Sequence, residues 1–252
     1  MILKSNEEIE KIRQAGNILA KVAKAVLAEA VPGINLRKLN QLTHDLVVKA
    51  GGKPAFLGYK PHGAARAYAY SVCASVNEVV VHGTPKDYKL KEGDILKLDF
   101  GVDYQGYKAD AAWTVGIGKI SAEAEKLLKV TEKALFEGIK AANVGKHLGD
   151  IGHAIANIVK RNGFSVAEGL TGHGIGKALH EEPSVFNEDE KGSGPVLKTG
   201  LVIAIEPMTI AGRPEIVQLK DDSYATADGS LSAHFEHTVA LTENGTEILT
   251  LI

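Results

Sequence analysis

The chain has 252 residues, 44% of them hydrophobic and 24% charged, which is the usage of an ordinary globular protein. A formal net charge of −2 and apolar runs too short to span a membrane give no reason to expect binding to nucleic acid or to a membrane. Cys73 is the single cysteine, so an internal disulfide and a thiolate metal cluster are excluded, and a reducing cytoplasmic location is expected.

The first predicted elements are two helices followed by strands. Ser5 and Glu8 have the spacing of a helix capping box, and apolar residues recur at helical intervals from Ile9 onward. A second amphipathic stretch runs between Gly33 and Gly51, and Gly51 stands where a glycine commonly ends a helix. The apolar runs "GDILKLD" and "ADAAWTV" then predict two strands.

The second half of the sequence repeats this order. A helix is predicted after Ser121, which is an N-cap without a capping box because Ala124 stands three positions later. A further helix follows, and "GLVIAIE" and "FEHTVAL" correspond to the two strand runs of the first half. We therefore predict an α+β fold in one domain, with two pseudo-symmetric halves at about 1–120 and 121–252 whose helices pack on one mainly antiparallel sheet.

The stretch "LDFGVDYQGYKAD" predicts a hairpin that brings two aspartates together. Its tetrapeptide "DYQG" has Asp first and Gly last, as in a common β-turn. A hairpin folded at the middle bond of that tetrapeptide pairs Asp99 directly with Asp110, with Cβ atoms about 5 Å apart. Facing like charges are destabilising, so either one carboxyl is protonated or a cation lies between them.

The repeat places a second carboxylate pair, Glu206 and Glu236, at the positions that correspond to Asp99 and Asp110. If the halves pack about a pseudo-twofold axis, the four acids converge, and a pair of divalent cations would neutralise them. His173, flanked by glycines in "TGHGIG", is a candidate imidazole ligand, which favours Mn, Fe, Co or Zn. The alternative for Asp99 and Asp110 is two solvated strand aspartates, and the apolar run around Asp99 argues against it.

Taken together, the motifs resemble the type I methionine aminopeptidases of the pita-bread family. The motifs are "SVNEVVVHGTP", "LDFGVDYQGYKADAAWTV", "GHGIGKALHEEP", "AIEPM" and "SLSAHFEHTV", and the resemblance covers nearly the whole chain. It implies the pita-bread fold with two pseudo-symmetric halves. It also implies removal of an N-terminal methionine from proteins and peptides whose second residue is small, by attack of a dinuclear-metal-activated water on the first peptide bond.

The resemblance implies a set of five metal ligands, which in chain order are Asp99, Asp110, His173, Glu206 and Glu236. Asp110 and Glu236 match the residues that bridge the two metals, which would be Co, Mn, Fe or Zn. Glu206 also matches the residue that shuttles the proton of the attacking water.

Further roles are implied for residues outside the ligand set. His82 matches a histidine that stabilises the reacting amide, and His180 matches one that hydrogen-bonds the scissile carbonyl. A site for one monovalent cation, present in some members of the family, is implied by Asn77, Val79 and Ser232.

The methionine pocket is implied by four further matches: Phe56, Tyr59, Tyr68 and Cys73. Its rim departs from the family pattern. The stretch "KPHGAARAYAY" at 60–70 is a few residues longer than usual, Leu179 stands where an aromatic is common, and Asp222 takes the place of a tryptophan.

Three other protein classes share parts of this pattern. Xaa-Pro peptidases share the fold and ligand set but usually carry an N-terminal domain, for which the motifs of this chain begin too early. Type II methionine aminopeptidases have an insertion for which the spacing of the second-half motifs leaves no room. A metal-free binding protein on the same scaffold would be expected to lack ligands. The expected partners are the N-termini of nascent proteins and peptides, with a ribosome contact left open, and a monomer is expected.

Overall fold

The computed structural model describes residues 1–60 and 66–252, and the predicted helices are present in it. They are α1 (Asn6–Ala28), α2 (Leu36–Lys49), α3 (Ala122–Ala141) and α4 (Leu148–Arg161). Ser5 Oγ accepts a hydrogen bond from Glu8 N at 3.3 Å, and Glu8 Oε2 accepts one from Ser5 N at 2.9 Å, which confirms the capping box. Ser121 Oγ caps α3 through the backbone of Ala124 at 3.1 Å. None of the helices in the described ranges combines the length and the apolarity that crossing a membrane requires.

The strands alternate with these helices in the predicted order. Before α3 lie β1 (Lys53–Pro54), β2 (Cys73–Val76), β3 (Val79–Val81), β4 (Ile95–Tyr104) and β5 (Tyr107–Gly116). After α4 lie β6 (Ser165–Val166), β7 (Thr171–Gly174), β8 (Glu181–Phe186), β9 (Val202–Ile205), β10 (Met208–Ile210), β11 (Ile216–Gln218), β12 (Tyr224–Thr226), β13 (Ser232–His234), β14 (His237–Thr242) and β15 (Gly245–Ile248).

Every strand pairing in the described part of the chain is antiparallel, but the strands form four ladders rather than one continuous sheet. The main ladder of the first half is β1-β4-β2 with β5 beside β4. The main ladder of the second half is β15-β14-β9-β7-β8. Two three-stranded ladders, β13-β10-β6 and β11-β12-β3, accompany them, and the second of these joins strands from both halves.

Each half has its own apolar core between its helices and its strands. In the first half, Leu19 of α1 is buried in one cluster with Leu98 and Phe100 of β4. In the second half, Leu127 of α3 is buried in another cluster with Ile203 of β9. Since the helices cover the outer faces of the strands, the opposite faces are left to meet at the centre of the molecule.

Strand β5 and the residues leading into β14 join the two halves. Glu236 exchanges two backbone hydrogen bonds with Ala112, at 2.9 and 3.3 Å. The buried hydroxyl of Thr238 accepts from Asp110 N at 2.9 Å and donates to Asp110 O at 2.7 Å. Thr114 makes the same pair of bonds with the backbone two residues before Glu236. Threonine hydroxyls thus take the place of some backbone hydrogen bonds between β5 and the second half, and for this reason β5 and β14 belong to separate ladders.

The β4–β5 hairpin forms, but the predicted pairing of its aspartates is wrong by two positions. Asp99 pairs with Ala112 and Asp110 pairs with Gly101. The turn is a two-residue loop in which Gln105 and the next glycine have φ values of +53° and +82°, as a type I′ turn requires. A shift of two positions keeps each side chain on its face, so Asp99 and Asp110 are diagonal neighbours on the same face of the hairpin.

Candidate metal centre

The two halves bring all four predicted carboxylates and His173 to the centre of the molecule. Asp99 lies in β4 and Asp110 in β5, while Glu206 directly follows β9 and Glu236 directly precedes β14. Three groups of side-chain atoms each lie within 4.8 Å of one another: Asp99 with Asp110 and Glu236, His173 with Glu206 and Glu236, and Asp110 with His173 and His180. Asp110 and Glu236 each belong to two groups, which is the placement that a bridging ligand needs.

The hydrogen bonding of His173 prepares its ring for a cation. Its Nδ1 lies 2.9 Å from the carbonyl oxygen of Gly174, and a carbonyl can only accept, so Nδ1 carries the proton and donates. In the neutral ring that a metal ligand requires, Nε2 presents a lone pair. It lies 3.5 Å from Glu206 Oε1 and 3.8 Å from Asp110 Oδ2, so a positive charge, either a proton or a metal ion, is favourable between these atoms.

The carboxylates themselves lack partners. Among the described residues, Asp99 Oδ1, Asp110 Oδ1 and Glu236 Oε1 are buried side-chain oxygens without a hydrogen bond. Burial raises the pKa of Asp99 and of Glu206 to about 7. Burial and the neighbouring carboxylates raise the pKa values of Asp110 and Glu236 well above the ordinary range. These orphaned oxygens and the oriented imidazole form a donor set that fits divalent cations.

His180 and His82 flank the carboxylates as neutral imidazoles. His180 packs edge-on against His173, with ring centroids 4.3 Å apart, and its Nδ1 lies 2.7 Å from the hydroxyl of Tyr59. Desolvation by the surrounding protein lowers the pKa of His180 to about 3 and that of His82 to about 4, although both side chains keep solvent-accessible surface. His82 has a φ of +58°, which is uncommon for a residue with a side chain, and its ring packs against Tyr224.

Of the predicted pocket residues, Phe56, Tyr68 and Cys73 belong to the cluster around β4, whereas Tyr59 lies against His180. Cys73 is the direct partner of Asp99 across the β2–β4 ladder and is buried. Phe56 packs on Gly101, where a Cβ would lie 2.6 Å from the ring, so only glycine leaves it this space. The hydroxyl of Tyr68 lies 2.9 and 3.1 Å from two backbone carbonyls and is therefore turned away from a ligand. Phe56, Cys73 and the ring of Tyr68 thus supply an apolar wall.

The structure describes two of the three places at which the pocket rim departs from the family pattern. Leu179 is buried in the core of the first half. Asp222 has a φ of +66° and pairs with Arg66, whose Nε lies 3.4 Å from its Oδ2. Residues 61–65 of the predicted long stretch lie outside the described residues.

Sequence reasoning missed His234. Its Nε2 is buried without a hydrogen-bond partner, 3.4 Å from Glu206 Oε2 and 4.0 Å from Glu236 Oε2. Burial lowers its pKa to about 4, so its ring is neutral near neutral pH. His234 lies two residues before Glu236, and the period of two in extended backbone could have placed both side chains on one face.

The residues predicted to hold a monovalent cation do not fit one. Lys97 Nζ lies between them, donating to Asn77 O at 2.6 Å, to Ser232 O at 3.0 Å and to Ser232 Oγ at 3.2 Å. Ser232 Oγ in turn lies 3.3 Å from Val79 O. The predicted residues do supply converging oxygens, but the amine of Lys97 occupies the point between them.

Comparisons with known proteins agree with this geometry. The profile of metallopeptidase family M24 matches residues 10–243. The chain is 45% identical to a methionine aminopeptidase of Clostridium perfringens, over 100% of this chain and 99% of that protein. A crystal structure of methionine aminopeptidase from Thermotoga maritima has a TM-score of 0.94 and 41% identity, with 100% of both chains covered. Prolidase from Pyrococcus furiosus has a TM-score of 0.80 and 26% identity, and this chain covers 66% of it.

Proposed function

The chain belongs to metallopeptidase family M24, and we propose that its carboxylate centre cleaves the first peptide bond of substrates that begin with methionine. The enzyme is a metal-dependent methionyl aminopeptidase, which removes the N-terminal methionine when the second residue is small. The observation that carries the proposal is the convergence of four carboxylates, three of which have a buried oxygen without a hydrogen bond, with the imidazole of His173.

The ligand set divides between two divalent cations, which would be Mn, Fe, Co or Zn. Asp99 would hold one cation, His173 and Glu206 the other, and Asp110 and Glu236 would contact both. Two such cations supply Lewis acidity that polarises the scissile carbonyl and lowers the pKa of a water toward neutrality.

Glu206 is the group that moves the proton. Its carboxylate lies at the edge of the centre, with one oxygen facing His173 at 3.5 Å and the other facing His234 at 3.4 Å. The ring of His234 is neutral and does not compete for the proton, so Glu206 can accept it from the attacking water and pass it to the leaving amine.

His180 and His82 act on the substrate as neutral donors. The hydroxyl of Tyr59 lies 2.7 Å from His180 Nδ1, and by donating to that nitrogen it would keep the proton of the neutral ring on Nε2. Nε2 of His180 then donates to the oxygen of the scissile carbonyl, where negative charge develops. His82 stabilises the reacting amide from the other side. Because both pKa values lie far below 7, these roles do not require a change of protonation near neutral pH.

The apolar wall selects the first side chain. Phe56, Tyr68 and Cys73 can surround an unbranched thioether, and contact of its sulfur with aromatic rings adds about 1 kcal/mol. Binding of the free amine near the cations restricts cleavage to the first residue. The second side chain is pressed toward His82 and the crowded rings of His173 and His180, and a displacement of the carbonyl by about 1 Å can cost roughly a hundredfold in rate.

The proposal also covers the substrates, the oligomeric state and the cellular compartment. The substrates are the N-termini of nascent proteins and peptides, and the enzyme works as a monomer of one catalytic domain in the cytoplasm. The single reduced cysteine, Cys73, is compatible with a reducing compartment.

A peptide panel tests the function. Protein loaded with Co²⁺ or Mn²⁺ is incubated with Met-Ala-Ser, Met-Leu-Ser, acetyl-Met-Ala-Ser and Ala-Pro-Ser, and the products are read by mass spectrometry. Cleavage of Met-Ala-Ser alone supports the proposal. The second candidate is an Xaa-Pro peptidase, which the likeness to prolidase favours, and preferential cleavage of Ala-Pro-Ser would establish it instead. Cleavage of the acetylated peptide would rule out an aminopeptidase.

A further inference from the structure

A buried lysine lies two residues before Asp99 on β4. The side chain of Lys97 is among the largest fully buried ones, with 1% of the residue exposed. Its Nζ donates to Asn77 O, Ser232 O and Ser232 Oγ, at 2.6, 3.0 and 3.2 Å. An ammonium has three N–H groups, so these three oxygens satisfy it completely. Such full pairing is what permits a lysine at this depth.

The oxygens around Nζ come from both halves and are held independently of the lysine. Asn77 lies in the β2–β3 turn with a φ of +52°, and its side chain accepts from Ile95 N and donates to Asp94, both at 2.9 Å. Ser232 begins β13 of the second half, and its own N–H donates to Asn77 O at 3.2 Å. The carbonyls are therefore fixed toward one point, where a positive charge is favourable.

We propose that the ammonium of Lys97 takes the place of a monovalent metal ion, so that this protein joins its two halves without K⁺ or Na⁺. A metal ion bound to Asn77 O and Ser232 O would lie almost on top of Nζ, and two positive charges at that distance repel strongly. The covalent link to the backbone keeps the amine at this point, whereas a free ion is lost when its concentration falls.

The covalent link also makes Lys97 a positioning residue for the metal centre. Side chains alternate along β4, so Lys97 and Asp99 share a face. Its bonds to Ser232 fix β4 against β13, the strand that leads to His234 and Glu236. This role of Lys97 does not depend on which peptide the enzyme cleaves, because it concerns the cation that holds these strands together.

Thermal unfolding in three salts tests the proposal without using peptidase activity. The metal-loaded protein, Lys97→Ala and the control Lys108→Ala, which removes a strand lysine paired with Asp103, are melted in choline chloride, NaCl and KCl at equal ionic strength. We expect the unaltered protein and the control each to have the same Tm in all three salts. In choline chloride, the Tm of Lys97→Ala should be roughly 5–10 °C below that of the unaltered protein. KCl or NaCl should restore at least half of that loss, and the gain in Tm should reach a plateau as the salt concentration rises.

Two results would overturn the proposal. A higher Tm of the unaltered protein in KCl or NaCl than in choline chloride would mean that a metal ion binds despite Lys97. Loss of stability in Lys97→Ala that no monovalent ion restores would mean that the oxygens are not a cation site. If Lys97→Ala does not fold in choline chloride, refolding it in KCl replaces the melt: recovery of folded protein supports the proposal, and failure there overturns it.

Discussion

Loading the metal-stripped protein with Mn²⁺ should release protons from the carboxylate centre. Without metal, burial raises the pKa values of Asp99 and Glu206 to about 7, and burial with the neighbouring carboxylates raises those of Asp110 and Glu236 well above their ordinary range. Raised pKa values mean that these carboxyls retain protons near neutral pH, and ligands must be deprotonated to bind, so filling the site releases protons. The raised pKa values belong to the metal-free state and the metal depresses them, so binding must strengthen as pH rises.

Isothermal titration calorimetry measures this release. Repeating the Mn²⁺ titration in buffers of different ionisation enthalpy counts the protons, and at about 1.4 kcal/mol per proton per pH unit the overall affinity should rise about tenfold per pH unit for each proton released. Glu236→Gln should release fewer protons, and Glu215→Gln, at an exposed position, should release the same number as the unaltered protein. Binding heats that are identical in every buffer, or an affinity that does not change between pH 6 and 8, would refute the reasoning.

Three substitutions test other parts of the account. Tyr59→Phe should lower kcat about tenfold with little change in KM or Tm, because His180 loses its tautomer partner; an unchanged kcat would remove Tyr59 from the mechanism. His180→Ala should fold and keep both metals but lose most activity, and loss of bound metal in proportion, measured by elemental analysis, would make His180 a ligand. Thr238→Val should lower the free energy of unfolding in urea by roughly 1–3 kcal/mol while Thr238→Ser stays close to the unaltered protein; equal values would contradict the hydroxyl's role in joining the halves.

The elements that could be predicted from the sequence are those with local causes. Ser5 and Ser121 cap their helices through backbone groups three residues away, and Gly51 and Gly163 end helices with φ values of +80° and +82°. The carboxylate set could be predicted because the repeat places acids at equivalent positions in the two halves. The four carboxylates converge because the two halves are related by pseudo-symmetry, and no single motif would predict this.

The parts that were missed depend on geometry beyond local spacing. The hairpin register was wrong because the turn places positive φ at Gln105 and its glycine, one position later than the centre that composition favours. The error left the site intact because a two-residue shift preserves the face of Asp99 and Asp110. Lys97 could not be anticipated, because its acceptors lie in a turn and in a strand far along the chain.

The most direct test of a bridged dinuclear centre measures bound metal and peptidase activity in the same samples. The unaltered protein and Glu236→Gln are loaded with Mn²⁺ and freed of excess, then bound metal is measured by elemental analysis and methionine release from Met-Ala-Ser by mass spectrometry. The account predicts two metals and rapid release for the unaltered protein, and reduced occupancy with reduced release for Glu236→Gln. Full occupancy and normal turnover in Glu236→Gln would contradict a bridged dinuclear centre.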